Sequence, residues 1–459
     1  MANKLNQQIT GTIEKLNREG GGVIPRPIGK PYIVYHTLPD EEVLALTHKK
    51  DKTGIFAELK EVIKASPFRT EPKCPYVQRC GGCIWQHINY KHQLELKKEL
   101  IQKTFSEKQI DLPEFSIIDG ENKFFYRNRM DFMFGKNGEL GLKEAGKWWS
   151  IIDLQKCFLM SEESNEILSL VREWTRTSNL PFWDNKKHEG FFRALVIREG
   201  KNTGERLIML VTNKPKNDEE KKSVHSITQP LHHFATSIVW GINERLTDLS
   251  LADEIIPLKG EPYLHEEING IKYRISPNSF FQTNSEMAAK LQDTVLEFAS
   301  PIKEKNIADL YCGAGFFTLA LARAEAARVI GIEADEAGIV AAKVNTELNS
   351  EEVVKWRSGE VSFLAVKIED YFKDQSLAEG FDTIILDPPR AGLHPKVIET
   401  LLKVLPKKIV YVSCNFSRLT EELPSFLEHY QISDFRALDL FPQTPHVEVV
   451  VILAKKRVF

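Results

Sequence analysis

Residues 1–66 alternate apolar and polar positions in short runs: Tyr32-Ile33-Val34-Tyr35, Val43-Leu44-Ala45-Leu46 and Glu58 to Ile63. Turn signals separate them, at Gly20-Gly21-Gly22, Pro25, Pro27, Pro31 and Pro39. A period of two predicts half-buried strands, and short strands this close together predict a compact OB-like β-barrel or a small β-domain with a packing role. After a linker at Ala65-Ser66-Pro67 the period changes. Leu94, Leu96, Leu100, Ile101 and Phe105 recur at helical spacing and predict one helix over 89–109. From about 111 to 265 the pattern is mixed and strand-rich, with arginine-bearing strands at Phe124–Arg129 and Phe191–Arg198. From about 280 strand and helix alternate. Strands are predicted at Asn306–Tyr311, Arg328–Glu333, Val361–Val366, Asp382–Leu386, Lys408–Ser413 and Val447–Leu453, and helices at Phe317–Arg323, Ala337–Leu348, Pro395–Leu405 and Ser417–His429. Such alternation predicts an α/β domain, a doubly wound parallel sheet with helices on both faces. The predicted units are a barrel at 1–66, a mixed α+β region at 67–265 and a Rossmann-like domain at 266–459.

The chain of 459 residues is 42% hydrophobic and 27% charged, enough apolar material for several cores and unlike a disordered or collagen-like chain. The longest apolar run, Val449–Ala454, is far short of the ~20 residues of a membrane span. The segment Met1–Gln7 lacks an apolar signal core, so a cytoplasmic protein is expected. Net charge is −3, unevenly spread: residues 1–150 hold 24 Lys+Arg against 19 Asp+Glu, and the remainder 37 against 45. A basic front on an acidic rear suits an RNA-guiding module joined to an enzyme, and suits an ordinary solvated surface equally well.

Doubly wound sheets bind ligands outside the carboxyl ends of their strands, so the residues ending strands carry the chemistry. The first strand runs into Asp309-Leu310-Tyr311-Cys312-Gly313-Ala314-Gly315, and the second ends at Glu333. A Gly-x-Gly turn lets a ligand approach the backbone, and an acid at that distance suits the ribose hydroxyls of an adenosine. NAD and S-adenosylmethionine both fit. S-adenosylmethionine is favoured because Thr318 replaces the third glycine and the fourth strand ends Asp387-Pro388-Pro389-Arg390, similar to the Asp/Asn-Pro-Pro-aromatic motif of nitrogen-directed methyltransferases. The fifth strand ends Ser413-Cys414-Asn415, where a following helix N-terminus is expected to lower the thiol pKa. A thiolate adding to C6 of a uracil or cytosine makes C5 nucleophilic toward a methyl sulfonium, and a base must then remove the C5 proton. Pro445-His446-Val447-Glu448 offers that base, with Glu448 preferred over His446. Cys74, Cys80 and Cys83, with Cys157 further on, supply four thiolates for a [4Fe–4S] cluster or a zinc site.

Ser276–Asn284, Asp309–Gly315, Asp387–Arg390, Ser413-Cys414-Asn415 and His446-Val447-Glu448 together resemble the RNA uracil-5-methyltransferases, over essentially the whole chain. The resemblance implies Cys414 as nucleophile and Glu448 as proton acceptor. It places Gln282, Tyr311, Gly313, Gly315, Glu333 and Asp387 around the methyl donor, with Phe280 near an extruded base. It further implies a TRAM domain at 1–66 and a [4Fe–4S] cluster on Cys74, Cys80, Cys83 and Cys157, marks of the 23S ribosomal RNA branch. A 23S rRNA uracil-5-methyltransferase acting as a monomer, without a protein partner or membrane, is the resulting expectation. A tRNA-directed enzyme and a non-catalytic rRNA-binding assembly factor are the alternatives; a cytosine-5 enzyme is disfavoured by the missing cysteine in Asp387–Arg390. Arg127, Arg129, Arg193 and Arg198 are expected phosphate contacts. Two departures stand out: Phe316 where relatives often have Asn, and no clean adenine-edge residue beyond Glu369 or Asp370.

Overall fold

A computed structural model describes residues 5–247, 249–351, 359–371 and 380–456. Near the N-terminus, six strands form one curled antiparallel and parallel sheet. Gln8–Thr12 pairs with Glu42–Lys50 at one edge, and the same stretch of chain continues into Lys15–Leu16, which pairs with Gly22–Ile24 at the other. One segment thus bonds both edges and wraps the sheet around Ile13, Val34, Val43, Ala45 and Ala57. This is the expected barrel-like unit; closure removes the open edges a small sheet would expose.

The catalytic sheet has eight strands in the spatial order Glu360–Ala365, Arg328–Glu333, Asn306–Leu310, Thr383–Leu386, Lys408–Ser413, Glu448–Lys455, Tyr430–Leu438 and Ile117–Ile118. The first five run parallel, as the strand-helix alternation predicts. Glu448–Lys455 then lies antiparallel to both Lys408–Ser413 and Tyr430–Leu438, so the sheet is mixed rather than wholly parallel. Tyr430–Leu438 is a strand the sequence pattern did not disclose. It alternates Gln431 and Arg436 with apolar residues and follows a helix, Phe416–Leu427, with almost no turn.

Beyond the barrel the chain first packs against the catalytic unit, whose core also takes Leu16 and Leu38 of the barrel. Helix Tyr90–Ser106 buries Leu96, Leu100, Ile101 and Phe105 against Tyr411, Leu419, Phe426 and Phe435 of the catalytic unit. Lys97 on the same helix is fully buried and pairs with Asp439 at 2.6 Å. Ile117–Ile118 joins the edge of the catalytic sheet. What lies between, residues 129–259, forms a separate seven-stranded sheet with helix Glu162–Thr177 packed on it. Its other face packs against the hairpin Leu264–Ile275 and helix Ser285–Ala299. Among the described residues, no helix is long and apolar enough to cross a membrane.

Candidate active site

The strand ends converge where the topology reverses between Asn306–Leu310 and Thr383–Leu386, the place a doubly wound sheet offers a ligand. Tyr311, Gly313 and Gly315 all have positive φ, at 67°, 51° and 83°. This tight turn delivers the chain into helix Phe316–Arg323. A Cβ built at Gly313 would meet nothing within 4 Å, so the backbone there faces open space. The Glu333 carboxylate accepts from the Gly313 N–H at 3.3 Å and from those of Ala334 and Asp335 at 2.7 and 3.0 Å. The carboxylate is thereby fixed beside the glycine turn. Tyr311 stands near Glu369 and Glu333, and burial and those carboxylates push its pKa up to about 12. This concavity fits an adenosine bearing a sulfonium.

Two features of this turn escaped the sequence. Thr318, at the position of the missing third glycine, donates its hydroxyl to Asp309 Oδ2 at 2.6 Å and ties the helix to the strand. Asp309 is wholly buried, its other oxygen lacks a partner among the described residues, and burial raises its pKa to about 7. Phe316 turns toward Tyr273, Phe281 and Phe317, which explains an aromatic where a polar residue is usual. The signal for Asp309 was present, a carboxylate inside an otherwise apolar strand.

Cys414 follows directly on Lys408–Ser413. Ser413 pairs with Val449 in the neighbouring antiparallel strand, so the register sets Cys414 against Glu448. Glu448 is 4% exposed, and burial followed by the Asp387 charge raises its carboxyl well above the usual range. Asp387 is held up to about 7 by burial and by Asp309. Arg390 faces the group, lowering both Cys414 and Glu448, and its backbone carbonyl takes the Asn415 side-chain amide at 3.1 Å. Asn415 caps the next helix by accepting from the Arg418 N–H. Even so, the thiol is not lowered as expected. Burial, Glu448 and Asp387 push Cys414 up to about 11, outweighing Arg390 and a backbone hydrogen bond. His446, the rejected base, is held down to about 4 by burial and Arg390, whose guanidinium lies 3.4 Å from its Nδ1.

The segment 276–284 reaches the helix after the glycine turn, where Phe281 meets Phe316 with ring centroids 5.8 Å apart. Phe280 is 76% exposed, whereas Phe281 is buried against Tyr273. Asn128, unnoticed in the sequence, donates to the Gln282 carbonyl at 2.8 Å and to Ser285 Oγ at 2.9 Å. The arginines need correction. Arg129 and Arg198 are cross-strand partners, and both guanidiniums donate to the carbonyls of Pro277 and Ser279. Arg129 also forms a bidentate pair with Asp131 at 2.8 and 3.0 Å. Arg193 is buried under the carbonyls of Asn243, Arg245 and Thr247. These three brace loops by spending donors on backbone carbonyls inside the protein. Arg127 differs: it is half-buried near Cys157 and its Nε lacks a partner among the described residues. Arg198→Met is expected to destabilise the fold by about 2 kcal/mol in denaturant unfolding, since charged donors to carbonyls carry about that much.

Cys74, Cys80, Cys83 and Cys157 gather in one partly buried neighbourhood and form no disulfide. Burial and then neighbouring sulfurs raise Cys83 to about 12 and Cys157 to about 11. Cys157 is set by Asn165, which accepts its N–H at 2.7 Å, and Cys74 by Gln86 at 3.1 Å. Among the described residues, no three His, Cys, Asp or Glu side chains stand as one metal ion requires. Four thiols this near one another are the donor set that a thiolate-ligated group would need.

The family described as tRNA (Uracil-5-)-methyltransferase matches residues 89–456. The tRNA (uracil(54)-C(5))-methyltransferase of Pyrococcus furiosus is 36% identical over 442 residues, 96% of this chain and 98% of that protein. An uncharacterised RNA methyltransferase of Nanoarchaeum equitans is 37% identical over 446 residues, 97% of this chain and 93% of that protein. The crystal structure of the Pyrococcus abyssi tRNA (uracil-54, C5)-methyltransferase, in complex with S-adenosyl-L-homocysteine, superposes with a TM-score of 0.79. Its identity to this chain is 31%, covering 97% of this chain and 100% of that one.

Proposed function

We propose, for a chain that belongs to the tRNA (uracil-5-)-methyltransferase family and is an S-adenosylmethionine-dependent RNA uracil-5-methyltransferase, that its substrate is a tRNA uridine equivalent to position 54. The supporting observation is the full-length match to enzymes named for that position. It favours tRNA over the 23S rRNA that was expected. That expectation took the barrel and the cysteine loop as absent from tRNA enzymes. A structure of a tRNA enzyme covering 97% of this chain leaves too few unmatched residues to omit a barrel spanning 8–64. The barrel therefore loses its power to discriminate.

In this reading S-adenosylmethionine supplies the methyl group, lying over Gly313 with Glu333 toward its ribose and Gln282, Tyr311 and Asp387 around it. Phe280, exposed at the rim on a loop fixed by Arg129 and Arg198, takes the face of the extruded uracil. Cys414 Sγ adds to C6, its proton passing to solvent or a neighbouring carboxylate, and the C5–C6 electron pair attacks the methyl carbon, whose bond to the sulfonium breaks and leaves S-adenosylhomocysteine as a neutral thioether. Glu448 then takes the C5 proton, C5–C6 reforms as a double bond and the thiolate leaves. Arg390 facing this pocket opposes the negative charge that accumulates among Cys414, Asp387 and Glu448.

Cys74, Cys80, Cys83 and Cys157 would hold a [4Fe–4S] cluster, whose part here is to join the loop at 74–83 to the segment at 157. Zinc is the less favoured occupant, since one tetrahedral ion demands sulfurs closer than a cubane does. Cys83→Ser is expected to lose visible absorbance and bound iron while the substrate pocket keeps its fold. Zinc recovered instead of iron from anaerobically purified protein would reverse the assignment.

The substrate test is direct. Purified enzyme and labelled methyl donor are given unmodified tRNA and 23S rRNA transcripts, and the methylated nucleotide is mapped. 5-Methyluridine at one tRNA position and none in 23S rRNA is expected. Label confined to 23S rRNA would overturn the reading.

A further inference from the structure

Trp148 and Trp149 are 52% and 43% exposed, whereas Trp85, Trp183 and Trp240 are buried. The cause is local. Register breaks between the pairs Lys147–Glu144 and Ile151–Lys143, so Trp148, Trp149 and Ser150 leave the ladder of the hairpin. Glu144 stabilises the protrusion by accepting from Lys147 Nζ and Ser150 Oγ, both at 2.8 Å. The indoles meet edge to face, centroids 5.8 Å apart, and about half of each side chain is exposed.

What surrounds them is cationic. Lys186 Nζ stands 4.7 Å from the centre of the Trp149 ring. Arg79 of the cysteine loop lies beside Glu144, and its carbonyl takes the Ala145 N–H at 2.8 Å. Cys80 forms a bridge with Glu144, so hairpin and cysteine loop are continuous. A protein-docking patch would need apolar neighbours around the indoles; here the adjoining residues are Gly146, Lys147, Ser150 and Lys186. Aromatic faces set among cations are what unpaired nucleotides stack upon.

We propose that Trp148 and Trp149 form a stacking platform for unpaired bases of the RNA substrate, outside the pocket where methyl transfer occurs. The proposal rests on the RNA-methyltransferase reading. It adds that the protruding hairpin and the cysteine loop act as one RNA-gripping body, which gives the buried thiol group a reason to stiffen that loop.

The test is a titration of the full-length holoenzyme with a short single-stranded oligouridylate and, separately, with tRNA. Indole emission is expected to be quenched by both. Trp148→Ala and Trp149→Ala should each weaken binding about tenfold, raise KM for tRNA by a similar factor and leave kcat unchanged. Trp→Phe should restore most of the affinity, because a phenyl ring still stacks. Unchanged affinity in variants that fold and bind S-adenosylmethionine normally would overturn the platform. So would RNA that leaves wild-type emission unaltered, in which case the indoles would be a protein-docking face. Failure of the tRNA reading shows separately, as wild-type enzyme that binds the oligouridylate with quenching yet transfers no methyl to tRNA.

Discussion

Glu448→Gln is expected to stop the enzyme after methyl transfer, with methylated RNA still attached through Cys414. Gln is isosteric and leaves the buried pocket packed, so the change isolates the loss of a proton acceptor. Glu448 sits 4% exposed against Cys414 in register, near Asp387 and Arg390, where few other groups can take the C5 proton. His446 is held down to about 4 and is therefore neutral at physiological pH, but it lies beside Arg390 rather than facing the thiol. Turnover should fall by about 10²–10⁴-fold, the usual worth of a positioned base. Mass spectrometry of the denatured reaction should find the protein–RNA adduct carrying one methyl group. Free methylated RNA at the wild-type rate would remove Glu448 from the role.

The second large effect is at the nucleophile. Cys414→Ala should lower methylation by at least about 10⁴-fold, because residues acting as a unit fail together. Binding of S-adenosylmethionine should survive, since the donor contacts lie on Glu333, Tyr311 and the glycine turn. The perturbed thiol adds a pH signature. With Cys414 pushed up to about 11, only roughly one thiol in ten thousand is ionised at pH 7 in the free enzyme. Raised acid groups ionise later as pH climbs. Both Cys414 and Glu448 are raised, so the single-turnover rate should increase with pH from about 6 to about 9. A rate that falls over that interval would mean that RNA binding, and not ionisation of this pair, controls the step.

The order of reacting groups along the catalytic sheet was legible because strand ends carry chemistry in a doubly wound fold. Glu333, Asp387 and Cys414 stand where the alternation of strand and helix put them, within a residue or two of the predicted ends. The juxtaposition of Cys414 and Glu448 was partly legible. It depends on an antiparallel pairing that a pattern of alternating strand and helix does not announce, and the paired strand Tyr430–Leu438 was missed altogether. The arginines misled for a simple physical reason. Arg129 and Arg198 occupy strand positions whose neighbours in space, Pro277 and Ser279, are about 80 to 150 residues away in sequence. A guanidinium that satisfies distant carbonyls looks, in one dimension, like one that meets phosphate. The thiol pKa was misjudged in the same way: the helix terminus is local and visible, whereas the Glu448 and Asp387 carboxyls arrive through tertiary structure.

The mechanism turns on a covalent bond between Cys414 and C6 of a tRNA uridine. It is tested most directly with tRNA carrying 5-fluorouridine, incubated with the enzyme and S-adenosylmethionine and resolved under denaturing conditions. Fluorine cannot leave C5 as a proton, so a methylated, denaturant-stable complex that maps to Cys414 and vanishes in Cys414→Ala is expected. Methyl transfer to normal tRNA without any adduct on the fluorinated RNA would contradict it.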